Sequence, residues 1–317
     1  MMRNVIRDTS CLLSFVLCCA FLQGCNTDRD RASFFGPSQS GILVVDALLV
    51  VDQPLPGLYV RETVGPDERY TLAGSAVTNA EVAIEQGGEV YSYRPDPTEP
   101  GRYLPPIQPA KVLPQTEYRL QVRSDGREIT GKTLTPARFQ ILEGVLLDSE
   151  TLQVDRNLRT FKDGEDQVFG APENQVIYQE GFLEARFEAV DVPAFQVGVV
   201  SLDRNSERVL EADFLDEQDY ADLEREVSSP ALEAQDGNLR LPWFAVYFAG
   251  RHLIRIFALD DNWFDFIRSS PEFQEGNFGG LAGDNFEVPL FRLDGGIGLF
   301  GSAAMDSLGF VVLPKVR

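Results

Sequence analysis

The chain has 317 residues, with 49 Asp or Glu against 28 Lys or Arg and one histidine, for a net charge of -21. That balance excludes a nucleic-acid-binding protein, which needs a concentrated basic footprint to hold phosphates. It also excludes a multi-histidine metal centre, and any Ser–His or Cys–His nucleophile pair would have to use His252. A hydrophobic content of 44% with 22 Phe is ample for a packed core. The length suggests two domains at about 150 residues each.

The N-terminus reads as an export signal. Arg3 and Arg7 precede an apolar run from Cys11 to Leu22, well short of the ~20 residues that cross a bilayer as a helix. Leu22, Gln23, Gly24 and Cys25 follow, and this tetrad resembles the lipobox of bacterial lipoproteins. The resemblance implies that residues 1–24 are removed and that Cys25 carries a thioether diacylglycerol and an acylated (typically palmitoylated) amine. All four cysteines, Cys11, Cys18, Cys19 and Cys25, lie in this segment, so the remainder has no thiol for a disulfide and must rely on its core. Ordinary signal cleavage elsewhere, leaving Cys25 as a free thiol, is the other reading. Several acyl chains, at ~0.8 kcal/mol per buried methylene, would anchor the protein to the membrane almost permanently.

Residues 25–40 are polar and form a tether. From there the pattern is β. Residues 42–51 make a strand apolar on both faces apart from Asp46. Ala80, Val82 and Ile84 alternate with polar residues, and Gly87-Gly88 turns the chain back toward Tyr93. Tyr118, Leu120 and Val122 alternate with Arg119, Gln121 and Arg123 before Asp125-Gly126, a tight hairpin signal. Short strands separated by Pro-rich turns indicate a β-sandwich over residues 41–137.

Residues 138–317 form a second β-rich domain. Leu183, Ala185, Phe187 and Ala189 carry its clearest period-two stripe, and further strands are predicted at 195–202, 243–248 and 253–259. Two short helices are expected. One covers 216–227 with Tyr220, Leu223 and Val227 on one face; the other covers 262–268 with Trp263, Phe264 and Ile267 inward.

Several stretches together resemble the Bacteroidota lipoprotein family known as domain of unknown function 4249. They are Cys25, Leu43-Val44-Val45-Asp46-Ala47, Ala80-Glu81-Val82-Ala83-Ile84, Pro100-Gly101-Arg102-Tyr103, Glu117-Tyr118-Arg119-Leu120 and Ser124-Asp125-Gly126. Val288-Pro289-Leu290-Phe291 and the Gly-rich run from Gly295 to Gly301 complete the set, with Arg292-Leu293 where members carry Asn-Ile. The resemblance implies an Ig-like, transthyretin-like (carboxypeptidase-regulatory-like) sandwich followed by a second β domain. It also implies an outer-membrane setting shared with TonB-dependent transporters, and supplies no catalytic motif and no cofactor.

Candidate sites each carry two readings. Gly296, Gly298 and Gly301 match the spacing of a dinucleotide-binding loop, but the chain ends too soon for the helix and acidic residue that motif needs. Close approach of strands is the remaining reading. His252 shares its strand phase with Ile254, Ile256 and Ala258, which suits a satisfied core histidine better than a general base. Calcium is conceivable at residues 163–166 and 260–262, against a solvated turn and a helix cap. Tyr91, Tyr93 and Tyr103 either form an exposed aromatic platform for a sugar or peptide or belong to the core; residues 95–114 are the preferred contact loop. The functional expectation is a non-enzymatic outer-membrane lipoprotein, accessory to a TonB-dependent β-barrel transporter. The alternatives are a stand-alone glycan- or peptide-binding surface protein and an envelope-bound hydrolase built on carboxylates.

Overall fold

Period-two alternation puts one face of each N-terminal strand into a shared interior. The protein, represented by a computed structural model, is described over residues 40–65, 68–159, 170–210, 223–234, 237–241, 243–270 and 289–315, apart from the side chain of Phe244. The first half builds β1 (Leu43–Val50), β2 (Leu58–Glu62), β3 (Glu81–Gln86), β4 (Glu89–Pro95), β5 (Arg102–Leu104), β6 (Glu117–Ser124) and β7 (Arg127–Leu134). Gly87 and Gly88 link β3 to β4, and Asp125 and Gly126 link β6 to β7, all at positive φ. Two-residue turns of that hand match the right-handed twist of the strands they join. Val45, Leu58, Val60, Ile84, Tyr103, Leu120, Val122 and Ile129 meet in one buried cluster.

The second half builds β8 (Ile141–Leu147), β9 (Val154–Leu158), β10 (Gln175–Ile177), β11 (Phe182–Phe187), β12 (Phe195–Ser201), β13 (Glu226–Ser228), β14 (Asn238–Arg240) and β15 (Gly250–Leu259). Helix α1 (Asp261–Ser269), β16 (Leu293–Asp294) and the long β17 (Ile297–Leu313) follow. The architecture is mainly β, as the sequence indicates. Among the described residues, one sheet of thirteen strands runs β13-β12-β15-β17-β1-β2-β5-β4-β3-β6-β7-β16, with β10 also on β17; a smaller sheet runs β14-β11-β8-β9.

Strand β17 joins the two halves. It lies parallel to β1 from Val44 opposite Ile297 to Val50 opposite Ala303, then runs antiparallel to β15. Its Phe300 enters the first cluster, while Leu308, Phe310 and Val312 enter a second cluster with Ile141, Leu183, Val197, Ile254 and Ile256. The sequence boundary near residue 137 falls in the link between β7 and β8. All strands belong to one compact unit, made of Gly41–Thr63 and Tyr70–Arg317. A separate small unit includes residues 64–69, in which the Glu68 amide donates to the Gly65 carbonyl at 3.0 Å.

Two expectations are corrected here. The helix expected over 216–227 lies partly outside the described residues, and its end, Glu226–Ser228, is an edge strand antiparallel to β12. Three apolar residues spaced over about two turns were too few to distinguish a helix from a loop leading into a strand. Trp243–Ala245 is a 3-10 turn rather than a strand. The Trp243 indole donates to the Gly181 carbonyl at 2.9 Å and its ring meets Tyr178 edge-on, so the half-buried Trp243 is held without a ladder.

Candidate functional site

The outer face of β3, β6 and β7 forms the floor of a groove of about 630 Å³. Residues that alternate with the core residues build it. Glu85 lies opposite Arg119, and Arg119 opposite Lys132; Ala83, Gln121 and Thr130 form the next row. Val90 flanks the floor from β4, while Asn262, Arg292 and Asp294 complete the lining. β16 pairs with β7 through Leu293 opposite Gly131 and Asp294 opposite Thr130. Continuing that register sets Arg292 beside Lys132.

The wall is held by polar contacts from α1. Asn262 spends both amide hydrogens on the fold, donating to the Lys132 carbonyl at 2.7 Å and the Phe300 carbonyl at 2.8 Å. Asp265 is buried on the inner face of α1. Its Oδ1 accepts from Arg268 Nε at 2.8 Å, and its Oδ2 accepts from both Nε, at 2.6 Å, and Nη2 of Arg292. Two guanidinium groups on one carboxylate leave the trio with a positive excess, and fix Arg292 at the groove edge. Arg119 is paired within its own strand, Nη2 to Glu117 Oε1 at 2.8 Å.

The aromatic platform does not form. Tyr103 is wholly buried: its hydroxyl donates to the Val77 carbonyl at 3.0 Å and accepts from the Ala80 amide at 2.8 Å. Tyr93 lies opposite Val82 on the inner face and is also buried, while Tyr91 is half-buried against the same cluster. Their phase along β4 and β5, set by the core, turns them away from solvent. Among the described residues the Tyr93 hydroxyl has no hydrogen-bond partner, and burial pushes its phenol upward. Removing an unpaired buried hydroxyl lifts a desolvation penalty of about 1–3 kcal/mol. Tyr93→Phe is therefore expected to leave the urea midpoint unchanged or raise it. A clear loss of stability would mean that the hydroxyl has a partner in solution.

His252 is wholly buried and stacks on Phe310 with ring centroids 5.7 Å apart. Its Nδ1 lies 2.9 Å from the Gly250 carbonyl, which can only accept, so that nitrogen carries the proton. Nε2 then accepts from the Ser201 hydroxyl at 2.9 Å. Both nitrogens are spent inside the fold, where no substrate atom reaches them. Burial lowers the imidazole below its usual range, against the raising effects of the Gly250 carbonyl and Asp203. Below about pH 6.5 the unfolded chain thus takes up a proton that the folded chain resists, and stability falls as pH falls. Unfolding free energies from urea titration should drop from pH 7 toward 5.5 by up to about 1.4 kcal/mol per pH unit. In His252→Gln that slope should flatten, and an equal slope in both proteins would overturn the assignment.

The remaining candidates resolve simply. Residues 163–166 lie outside the described residues. In the 260–262 stretch Asp260, not Asp261 or Asn262, caps α1, accepting from the Trp263 amide at 2.9 Å. Among the described residues no group of three or more His, Cys, Asp or Glu could hold a metal ion. The glycine run is a close approach of strands: a Cβ on Gly298 would lie 2.0 Å from the Val45 carbonyl oxygen. In the loop 95–114, Val112 is buried and exchanges backbone hydrogen bonds with Asp52 and Gln53, while Ile107 is exposed. Cys25 lies outside the described residues. Sequence reasoning did not single out the groove, because its residues are the polar half of strands read for their apolar half. No protein-family model and no curated protein matches the chain.

Proposed function

We propose that the protein is a non-enzymatic lipoprotein of the outer membrane, held by lipid on Cys25, that captures a ligand beside a TonB-dependent transporter. The groove on the outer face of β3, β6 and β7 carries this reading, because its polar lining is presented to solvent on a three-strand floor. The lipobox-like tetrad ending at Cys25, and the resemblance to surface lipoproteins, support the membrane setting. A capture component needs a preformed binding face and a tether, and it needs no chemistry of its own.

Purification of the lipidated protein from its native outer membrane in mild detergent, with mass spectrometry of co-eluting proteins, tests the proposal. One stoichiometric β-barrel transporter is the expected companion. Recovery of the lipoprotein alone would overturn the accessory role. It would favour a stand-alone glycan- or peptide-binding protein, a second reading supported by the groove being complete within one chain.

A further inference from the structure

Two hydrogen bonds place the turn that follows β2 beside the residue where the chain enters β1. The Gly41 amide donates to the Thr63 carbonyl and the Glu62 amide to the Ser75 carbonyl, each at 2.8 Å. Just before Ser75 stand Tyr70 and Leu72, both exposed. Isolated exposed apolar side chains need no explanation, but these two are carried on a braced turn. The Ser75 amide donates to the Thr71 carbonyl and the Gly74 amide to the Thr71 hydroxyl, each at 3.0 Å, and Ser75 itself is wholly buried. This end of the sheet lies away from the second half, because β17 follows β1 up to Val50 and pairs with β15 only from Ala303 onward.

Resting on the lipid anchor proposed above, we infer that Tyr70 and Leu72 enter the interface of the leaflet that holds Cys25, a surface of zwitterionic phospholipid. Fifteen residues separate Cys25 from Gly41, a reach of at most about 50 Å. The anchor therefore keeps this turn near the bilayer, and such confinement lets a contact form that is too weak for a freely diffusing protein. The two side chains suit the boundary: a tyrosine ring is at home at headgroup level, and the leucine is apolar throughout. The Gly74 and Ser75 amides are already paired within the turn, which lowers the cost of taking its backbone out of water. Charge selects the kind of lipid. Arg102 and Arg127, at this end of the sheet, are paired with Glu99 and Glu62, and Asp67 and Glu68 outweigh Arg69 in the sequence before Tyr70. An anionic surface would gain little attraction here. The groove has none of its lining in this turn, so the contact leaves it open.

Tryptophan quenching in the full lipidated protein, reconstituted in phosphatidylcholine vesicles that contain brominated phosphatidylcholine, tests this. Leu72→Trp puts a reporter on the turn. Ile107→Trp puts one on the loop at the other end of β1, where the Ala110 carbonyl accepts from the Leu55 amide at 2.9 Å. Both positions are exposed, so both variants should fold. Bromine should lower the emission of Leu72→Trp, and leave unchanged that of Ile107→Trp and of the parent with its Trp243 and Trp263. Adding Tyr70→Asp to Leu72→Trp should weaken the quenching. Emission of Leu72→Trp unaffected by bromine, or equal quenching at the two positions, would overturn the inference. Quenching that appears only with added phosphatidylglycerol would overturn the zwitterionic assignment. A Leu72→Trp reporter that bromine does not reach, but that a co-purified transporter shields from acrylamide, would overturn the lipid contact and assign the turn to that protein. Failure of the protein to float with vesicles would overturn the lipid anchor and the contact together, whereas flotation without quenching would overturn the contact alone.

Discussion

Gly298→Ala is expected to cost about 3–5 kcal/mol, a large share of the 5–15 kcal/mol that holds a typical domain together. Gly298 sits in β17 opposite Val45 with φ at +114°, a conformation that L side chains rarely adopt. Holding a non-glycine residue in such a region costs about 1–3 kcal/mol. The new Cβ would also lie 2.0 Å from the Val45 carbonyl oxygen and 3.0 Å from the Val45 amide nitrogen. Those are backbone atoms of a strand paired on both sides, so relief requires moving the centre of the sheet. Overpacking adds a further ~1–3 kcal/mol.

Two other glycines set the scale by contrast. A Cβ on Gly87 meets nothing within 4 Å, so Gly87→Ala carries only the conformational penalty of its turn. A Cβ on Gly131 meets the tip of the Leu293 side chain at 2.5 Å, which can swing aside. Urea unfolding of the three variants should therefore rank Gly298→Ala as clearly the least stable. A Gly298→Ala stability within about 1 kcal/mol of the parent would mean that β1 and β17 are not paired in this register.

That pairing also marks where the sequence stops being informative. The hairpins at Gly87-Gly88 and Asp125-Gly126 were legible because residue type and turn geometry are linked locally. The apolar character of 42–51 was equally legible as a strand, although only the face of Leu43, Val45, Ala47 and Leu49 is buried and the other is half-buried, with Asp46 exposed. Its partner was not, because β1 pairs in parallel with residues at the far end of the chain, and periodicity carries no information about partners. The glycine run was readable as a close approach for a steric reason, while which backbone approached it was settled only by topology. The groove was hidden for a different reason. Glu85, Arg119 and Lys132 look like ordinary solvated positions in the sequence, and become one site only through the registers of β3, β6 and β7. Asp265 was hidden too, since a carboxylate on a helix is ordinarily solvated, and nothing local shows that Arg292 comes back to meet it.

The second large effect is expected at Asp260, where α1, β7 and β17 meet. Its carboxylate accepts from the Trp263 amide, capping the helix, and from the Thr133 hydroxyl, which is also 2.7 Å from the Ser302 hydroxyl. Its own amide donates to the Ser302 carbonyl at 2.9 Å. Loss of a helix cap costs about 0.5–2 kcal/mol, and a buried hydroxyl or amide left unpaired costs about 1–3 kcal/mol. Asp260→Ala loses both kinds of contact and should cost about 2–4 kcal/mol. Asp260→Asn keeps an oxygen for the Trp263 amide and should cost less.

The pH dependence separates this account from simple loss of packing. Burial raises the Asp260 carboxyl above its usual range despite the hydrogen bonds that favour its charged form. Above about pH 3.9 the folded chain therefore holds a proton that the unfolded chain has released. Its contribution to stability is fully present below that pH and is lost as pH rises through the folded value. An asparagine does not titrate, so the gap between parent and Asp260→Asn should be widest near pH 4 and narrow toward neutrality. This slope is opposite in sign to that of His252, whose contribution is lost as pH falls. Urea midpoints across the acid range can therefore assign each slope to its residue. A gap between the parent and the Asp260→Asn variant that widens toward neutral pH would show that the carboxylate is held in its charged form, and would reverse the role assigned to burial.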